Sequence, residues 1–181
     1  MFVILAFYSL DVIVAKMVFP AEIAGYYAIA SILGKIILFG TMPVSKAMFP
    51  LSAAKHKGKE GHILLNAVGI ILFCIIIALL VIYLMPGLIV QIFSGREIVE
   101  AANILFYLSI AFSLISLANL VLLYRLSREK IKAYWLLAIF PIIEVVLLVI
   151  FSHNLVEFSL AFITASAIFL WGVMSIPSEE K

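Results

Sequence analysis

Residues 61–95 read GHILLNAVGIILFCIIIALLVIYLMPGLIVQIFSG and contain no Asp, Glu, Lys or Arg. The hydrocarbon core of a bilayer is about 30 Å thick, and a helix rising 1.5 Å per residue crosses it in about 20 apolar residues. The run from Ile63 to Met85 meets that length, and Pro86-Gly87 stops it. A buried strand or a core helix of a soluble domain does not need so long an uninterrupted stretch. This segment therefore predicts a membrane-spanning helix.

The same measure applied outward finds comparable segments on both sides. Towards the N-terminus lie 2–19, ended by Pro20, and 24–49, ended by Pro50, with Pro43 as a kink inside the second. Towards the C-terminus lie 101–124, 133–151 and 158–174, with Pro141 inside the middle one. PGLIVQIFSGREIVEAA, between the third and fourth spans, reads as a short interfacial turn followed by a helix start. The expectation is an all-α integral membrane protein of about six helices, forming a single transmembrane domain over residues 1–181. Within lipid every backbone polar group must be satisfied internally, so helices are the open-chain solution.

Composition agrees. Of the 181 residues, 66% are hydrophobic and 12% charged, about half the charge of a soluble domain. Mean hydropathy is +1.29. Such a chain cannot clothe a soluble enzyme, a disordered segment or a nucleic-acid binder, and a net charge of +2 implies no polyanionic partner. The single cysteine, Cys74, allows no intrachain disulfide. Met1 to Leu10 lacks a basic flank and a small-residue cleavage site, so it reads as part of a helix rather than a signal peptide. No phosphate-binding Gly-rich loop, HExxH or GxSxG occurs, and no cofactor or metal is expected.

Basic residues orient the helices. One loop holds Lys55, Lys57 and Lys59, and a second holds Arg125, Arg128, Lys130 and Lys132. Parity puts both on one side, against Lys16 and Arg96 on the other, a bias of seven to two. Both termini are then expected in the cytoplasm.

Charges inside the spans mark the candidate site. A charged side chain at mid-membrane costs roughly 2.5–3.5 kcal/mol on the insertion scale and usually faces a partner or a cavity. Asp11, Lys35, Lys46 and Glu144 occupy such positions. Lys35 lies about 16 Å into the second span, near mid-depth, and Lys46 falls eleven residues later on nearly the same helix face. Ser31 is one turn from Lys35. Two readings stand side by side. Lys35 pairs with a buried carboxylate while Lys46 snorkels to the headgroups, or both ammonium groups line a path for an anion. Asp11 is the preferred partner of Lys35, because Lys16 lies about 140° away around the axis of their own helix. Glu144, three residues after Pro141, marks a bend beside a cavity or a packing contact. Asn66, Asn103 and Asn119 are expected to tie helices together, and Gly69 to allow close approach.

The stretch 11–59, DVIVAKMVFPAEIAGYYAIASILGKIILFGTMPVSKAMFPLSAAKHKGK, resembles one family. An intramembrane Asp, a following Lys, AGYYAIASILGKIILF, Phe49-Pro50 and a Lys-rich loop carry the likeness, and SGREIVEAA is a variant of a phrase common after the family's outer turn. These features are similar to the polysaccharide-biosynthesis, Wzx-type oligosaccharide flippases of the multidrug/oligosaccharidyl-lipid/polysaccharide exporter superfamily. The resemblance implies one lobe, the C-terminal one, of a two-lobed transporter. It also implies a polyprenyl-pyrophosphate-linked oligosaccharide as substrate, membrane lipids as surroundings, and a separate N-terminal lobe or a second copy as partner. In that reading Lys35, Lys46 and Ser31 form a cationic cavity, and Asp11 or Glu144 couples or pairs. The alternatives are a cation-coupled small-molecule antiporter of the same superfamily, and a non-transporting membrane subunit or truncated remnant.

Overall fold

The computed structural model describes residues 2–53, 60–127 and 137–175. Among them are seven helices: α1 (Phe2–Val18), α2 (Ala21–Ala53), α3 (Glu60–Leu84), α4 (Pro86–Ser94), α5 (Val99–Ser127), α6 (Ile139–Ile150) and α7 (Leu155–Ser175). Four helical stretches, Ala21–Ser52, His62–Leu84, Val99–Ser127 and Leu155–Ser175, are long and apolar enough to cross a membrane. This is the pattern of a multi-pass helical membrane protein. The six expected spans thus resolve into four full-length ones and two shorter helices, α1 and α6.

The boundaries depart from expectation where proline was read as a stop. α2 runs through both Pro43 and Pro50. A proline removes one backbone hydrogen bond, but here the helix is held on either side of Pro50, with Met48 and Ser52 both buried and the Ser52 hydroxyl 3.1 Å from Met48 Sδ. Among the described residues, Pro141 lies in the first turn of α6, where its missing N–H had no intrahelical partner to lose. α6 has 12 residues, about 18 Å of rise, short of a bilayer crossing. Residues 133–136 of the expected fifth span lie outside the described residues, as do Lys55, Lys57, Lys59, Arg128, Lys130 and Lys132 of the basic loops. The segment expected to turn at Pro86 instead forms the nine-residue α4. Pro86 starts it, and Gly95 ends it in the left-handed region at φ 72°, its N–H donating to the Gln91 carbonyl.

α5 is the axis of the bundle. It packs most extensively on α2 and on α7, while α6 bridges α1 and α7, and α3 lies against α2 and α5. An aromatic layer locks these elements together. Phe7 of α1 stacks on Phe169 of α7 at 4.7 Å, Phe140 of α6 meets the same ring at 5.4 Å, and Phe112 of α5 meets Phe162 at 5.3 Å. Tyr27 of α2 sits edge-on to Phe158 at 5.0 Å. α7 begins with a reciprocal cap: Asn154 Oδ1 accepts from the Glu157 N–H at 2.8 Å, and Asn154 Nδ2 donates to Glu157 Oε1 at 2.9 Å.

Close helix approach comes from glycines other than Gly69, which has open space around it. A Cβ on Gly34 would lie 2.8 Å from the Phe112 ring, and one on Gly172 would lie 2.1 Å from the tip of Phe140. Polar adhesion also differs from expectation. Asn66 and Asn103 are exposed, Asn119 is buried on α5, and Thr41 of α2 and Ser116 of α5 are buried with their hydroxyls 2.5 Å apart. Short hydroxyls let closely packed helices bond across their interface.

Candidate functional site: a buried charge cluster

The polar heart of the bundle forms where α1 and α2 run antiparallel around Pro20. Tyr27, Ser31 and Lys35 follow each other at intervals of four residues, so all three face one neighbour. That neighbour is Asp11 of α1. Its Oδ2 accepts from the Ser31 hydroxyl at 2.5 Å and from the Tyr27 hydroxyl at 3.5 Å, and its Oδ1 accepts from Lys35 Nζ at 3.2 Å. Asp11 is fully buried and Lys35 is 9% exposed. The ammonium also lies 5.3 Å from the centroid of the Phe112 ring, a cation–π contact that partly replaces lost hydration. Gly34 permits it, since a side chain there would push Phe112 away.

Glu144 enters from α6. It too is fully buried, and neither carboxyl oxygen has a hydrogen-bond partner among the described residues. It stands within electrostatic reach of Asp11, Lys35 and the Tyr27 phenol. Three helices therefore contribute two buried carboxyl groups and one ammonium to the interior.

Of the residues expected to form the site, Asp11, Ser31 and Lys35 converge directly, and Glu144 joins them. Lys46 does not. It is exposed on α2, about 16 Å along the axis from Lys35. No carboxylate pairs with it among the described residues. The face that Asp11 covers at Lys35 is uncovered at Lys46, while Ser45 and Met48 are the buried neighbours there. Among the described residues, Lys35 and Lys46 do not share one chamber. A cavity of about 250 Å³ lies elsewhere, between α2 and α4, lined by Ile29, Ile32, Leu33, Phe93, Ser94 and Arg96.

Two members of the site were not singled out from the sequence as members of the cluster. Tyr27 carries a readable signal, since Y27-x3-S31-x3-K35 is a one-face spacing. Phe112 carries none, because its place depends on how α5 docks against Gly34. No family model, curated protein or solved structure matches the chain.

Proposed function

We propose that this chain is a non-enzymatic membrane transport protein, one lobe of a flippase that moves a polyprenyl-pyrophosphate-linked oligosaccharide across the cell membrane by alternating access, with both termini cytoplasmic. The observation that carries the transport reading is the ion pair of Asp11 and Lys35 with an unpartnered Glu144 beside it. Ion pairs buried in a dry bundle are a poor source of stability, because desolvation offsets most of the attraction. Apolar residues would pack the same space with less cost, and ionisable groups inside spans commonly serve a pathway. The cargo rests on the likeness of 11–59 to Wzx-type flippases.

Lys35 is committed to Asp11 in the arrangement described. A pyrophosphate meets its ammonium only after the Asp11 contact opens, so the cluster acts as a charged latch between α1 and α2. Rocking of a partner lobe supplies the opening in an alternating-access cycle.

A second reading, the cation-coupled antiporter, is favoured by one specific feature: Asp11 and Glu144, the two acids inside the expected spans, lie within electrostatic reach of each other. The deciding experiment is a flipping assay in proteoliposomes that hold the assembled transporter, using a fluorescent lipid-linked oligosaccharide. The flippase reading expects movement of the lipid, and Lys35→Ala reduces it to near background when compared at matched amounts of folded protein. Undiminished flipping by Lys35→Ala removes the latch from the mechanism. Absence of lipid flipping together with gradient-driven efflux of a small cation supports the antiporter.

A further inference from the structure

Glu144 is a buried acid that the ion pair does not use. Among the described residues its oxygens have no donor, whereas those of Asp11 have three, from Tyr27, Ser31 and Lys35. α6 packs against α1 and α7. The charges of Asp11 on α1 and Lys35 on α2 act on Glu144, and the charge of Glu144 acts on Tyr27 of α2. α7 carries Glu157, which is part-exposed in its first turn and bonded to Asn154.

Charge bookkeeping then constrains the cluster. With both acids ionised it would hold one uncompensated negative charge in an apolar interior, which is far costlier than a neutral acid. One proton makes it neutral. Hydrogen-bond donors favour the ionised form of the acid they reach, so the proton resides on Glu144 and the charge on Asp11.

We propose that Glu144 is a reserve partner for Lys35, and that the ammonium exchanges between Asp11 and Glu144 as a proton moves the opposite way. In the arrangement described, Lys35 is paired with the Asp11 carboxylate and Glu144 carries an O–H. In the exchanged arrangement the Glu144 O–H bond has broken, an O–H bond has formed on Asp11, and Lys35 is paired with the Glu144 carboxylate. The cluster is neutral in both, so no bare charge is created in the apolar core. The exchange transfers α2's polar contact from α1 to α6, giving the bundle two discrete arrangements that a proton or a partner can bias. It deepens the latch proposed above but does not depend on the cargo.

The test uses the full chain, purified in lipid nanodiscs at neutral pH. Infrared spectroscopy in heavy water reads the carbonyl stretch of a protonated, buried carboxylic acid. The native chain is expected to show this band and Glu144→Gln to lack it. Asp11→Asn is expected to lack it too, because Glu144 ionises on taking over Lys35. A native chain without the band, a band that survives Glu144→Gln, or one that survives Asp11→Asn would overturn the proposal. Thermal unfolding of the same proteins gives a second readout. Each single variant is expected to keep its fold with a small drop in midpoint, and the double variant to fall by clearly more than the sum of the two. Additive losses, or an Asp11→Asn chain that fails to fold, would also overturn it. Neither readout involves transport, so a chain that exchanges partners but moves no lipid-linked sugar would separate this inference from the flippase reading.

Discussion

The two halves of α2 place the same residue type in opposite settings. In the first half, Tyr27, Ser31 and Lys35 close on Asp11, and the lysine is buried over Phe112. In the second half, Thr41, Ser45, Met48 and Ser52 are buried, and Lys46 points outward. Helical spacing alone puts both lysines on nearly one face. What separates them is the neighbour: α1 supplies a carboxylate to Lys35, and no carboxylate among the described residues pairs with Lys46. A charge in a membrane helix is defined by the helix opposite it as much as by its own position.

The largest expected effect comes from removing the buried cation. Lys35→Met leaves Asp11 without its counter-ion and should cost about 3–5 kcal/mol of stability, the range for breaking one side of a buried pair. Lys46→Met should leave the unfolding midpoint unchanged. Denaturation of both variants in the same micelles checks the contrast, and equal losses would erase it.

A smaller effect is expected at Gly34. Alanine there forces the Phe112 ring to move by several tenths of an ångström, a strain of about 1–3 kcal/mol for an overpacked core. Gly40, in the second half of α2, has nothing within 4 Å of a built Cβ. Alanine there should stabilise the helix by up to about 1 kcal/mol. Unfolding midpoints that move together at the two glycines would mean that the first half is no tighter than the second.

The smallest effect is expected at Thr41. Valine keeps the shape and removes the hydroxyl contact to Ser116, worth about 0.6 kcal/mol for hydrogen bonds between membrane helices. A double-mutant cycle with Ser116→Ala measures the coupling, and a value near that of Lys35 with Asp11 would blur the distinction between adhesive hydroxyls and a charged cluster.

Much of the membrane architecture was legible, because chemistry and length suffice to recognise a span. The charge-free run 61–95 contains all of α3 beyond its first residue and all of α4. The pairing of Asp11 with Lys35 was readable as a hypothesis from depth and angle. The rest depended on contacts between helices. Pro50 looked like a stop because propensity ignores the buried residues on either side of it. Pro141 looked like a kink because the start of α6 is not marked by a polar cap. Glu144 could be placed in a span but not next to Asp11, since spacing along one helix does not say which neighbour it meets. For the same reason Gly34, not Gly69, turned out to be the position where two helices come close.

The most direct test is chemical access to the two lysines of α2 in the native membrane. Brief treatment with a water-soluble amine-reactive ester, followed by mass spectrometry, reads each site separately. Modification of Lys46 with Lys35 protected until the chain is unfolded is the predicted result. Lys35 labelled as readily as Lys46 in the folded protein would contradict the buried cluster on which the account is built.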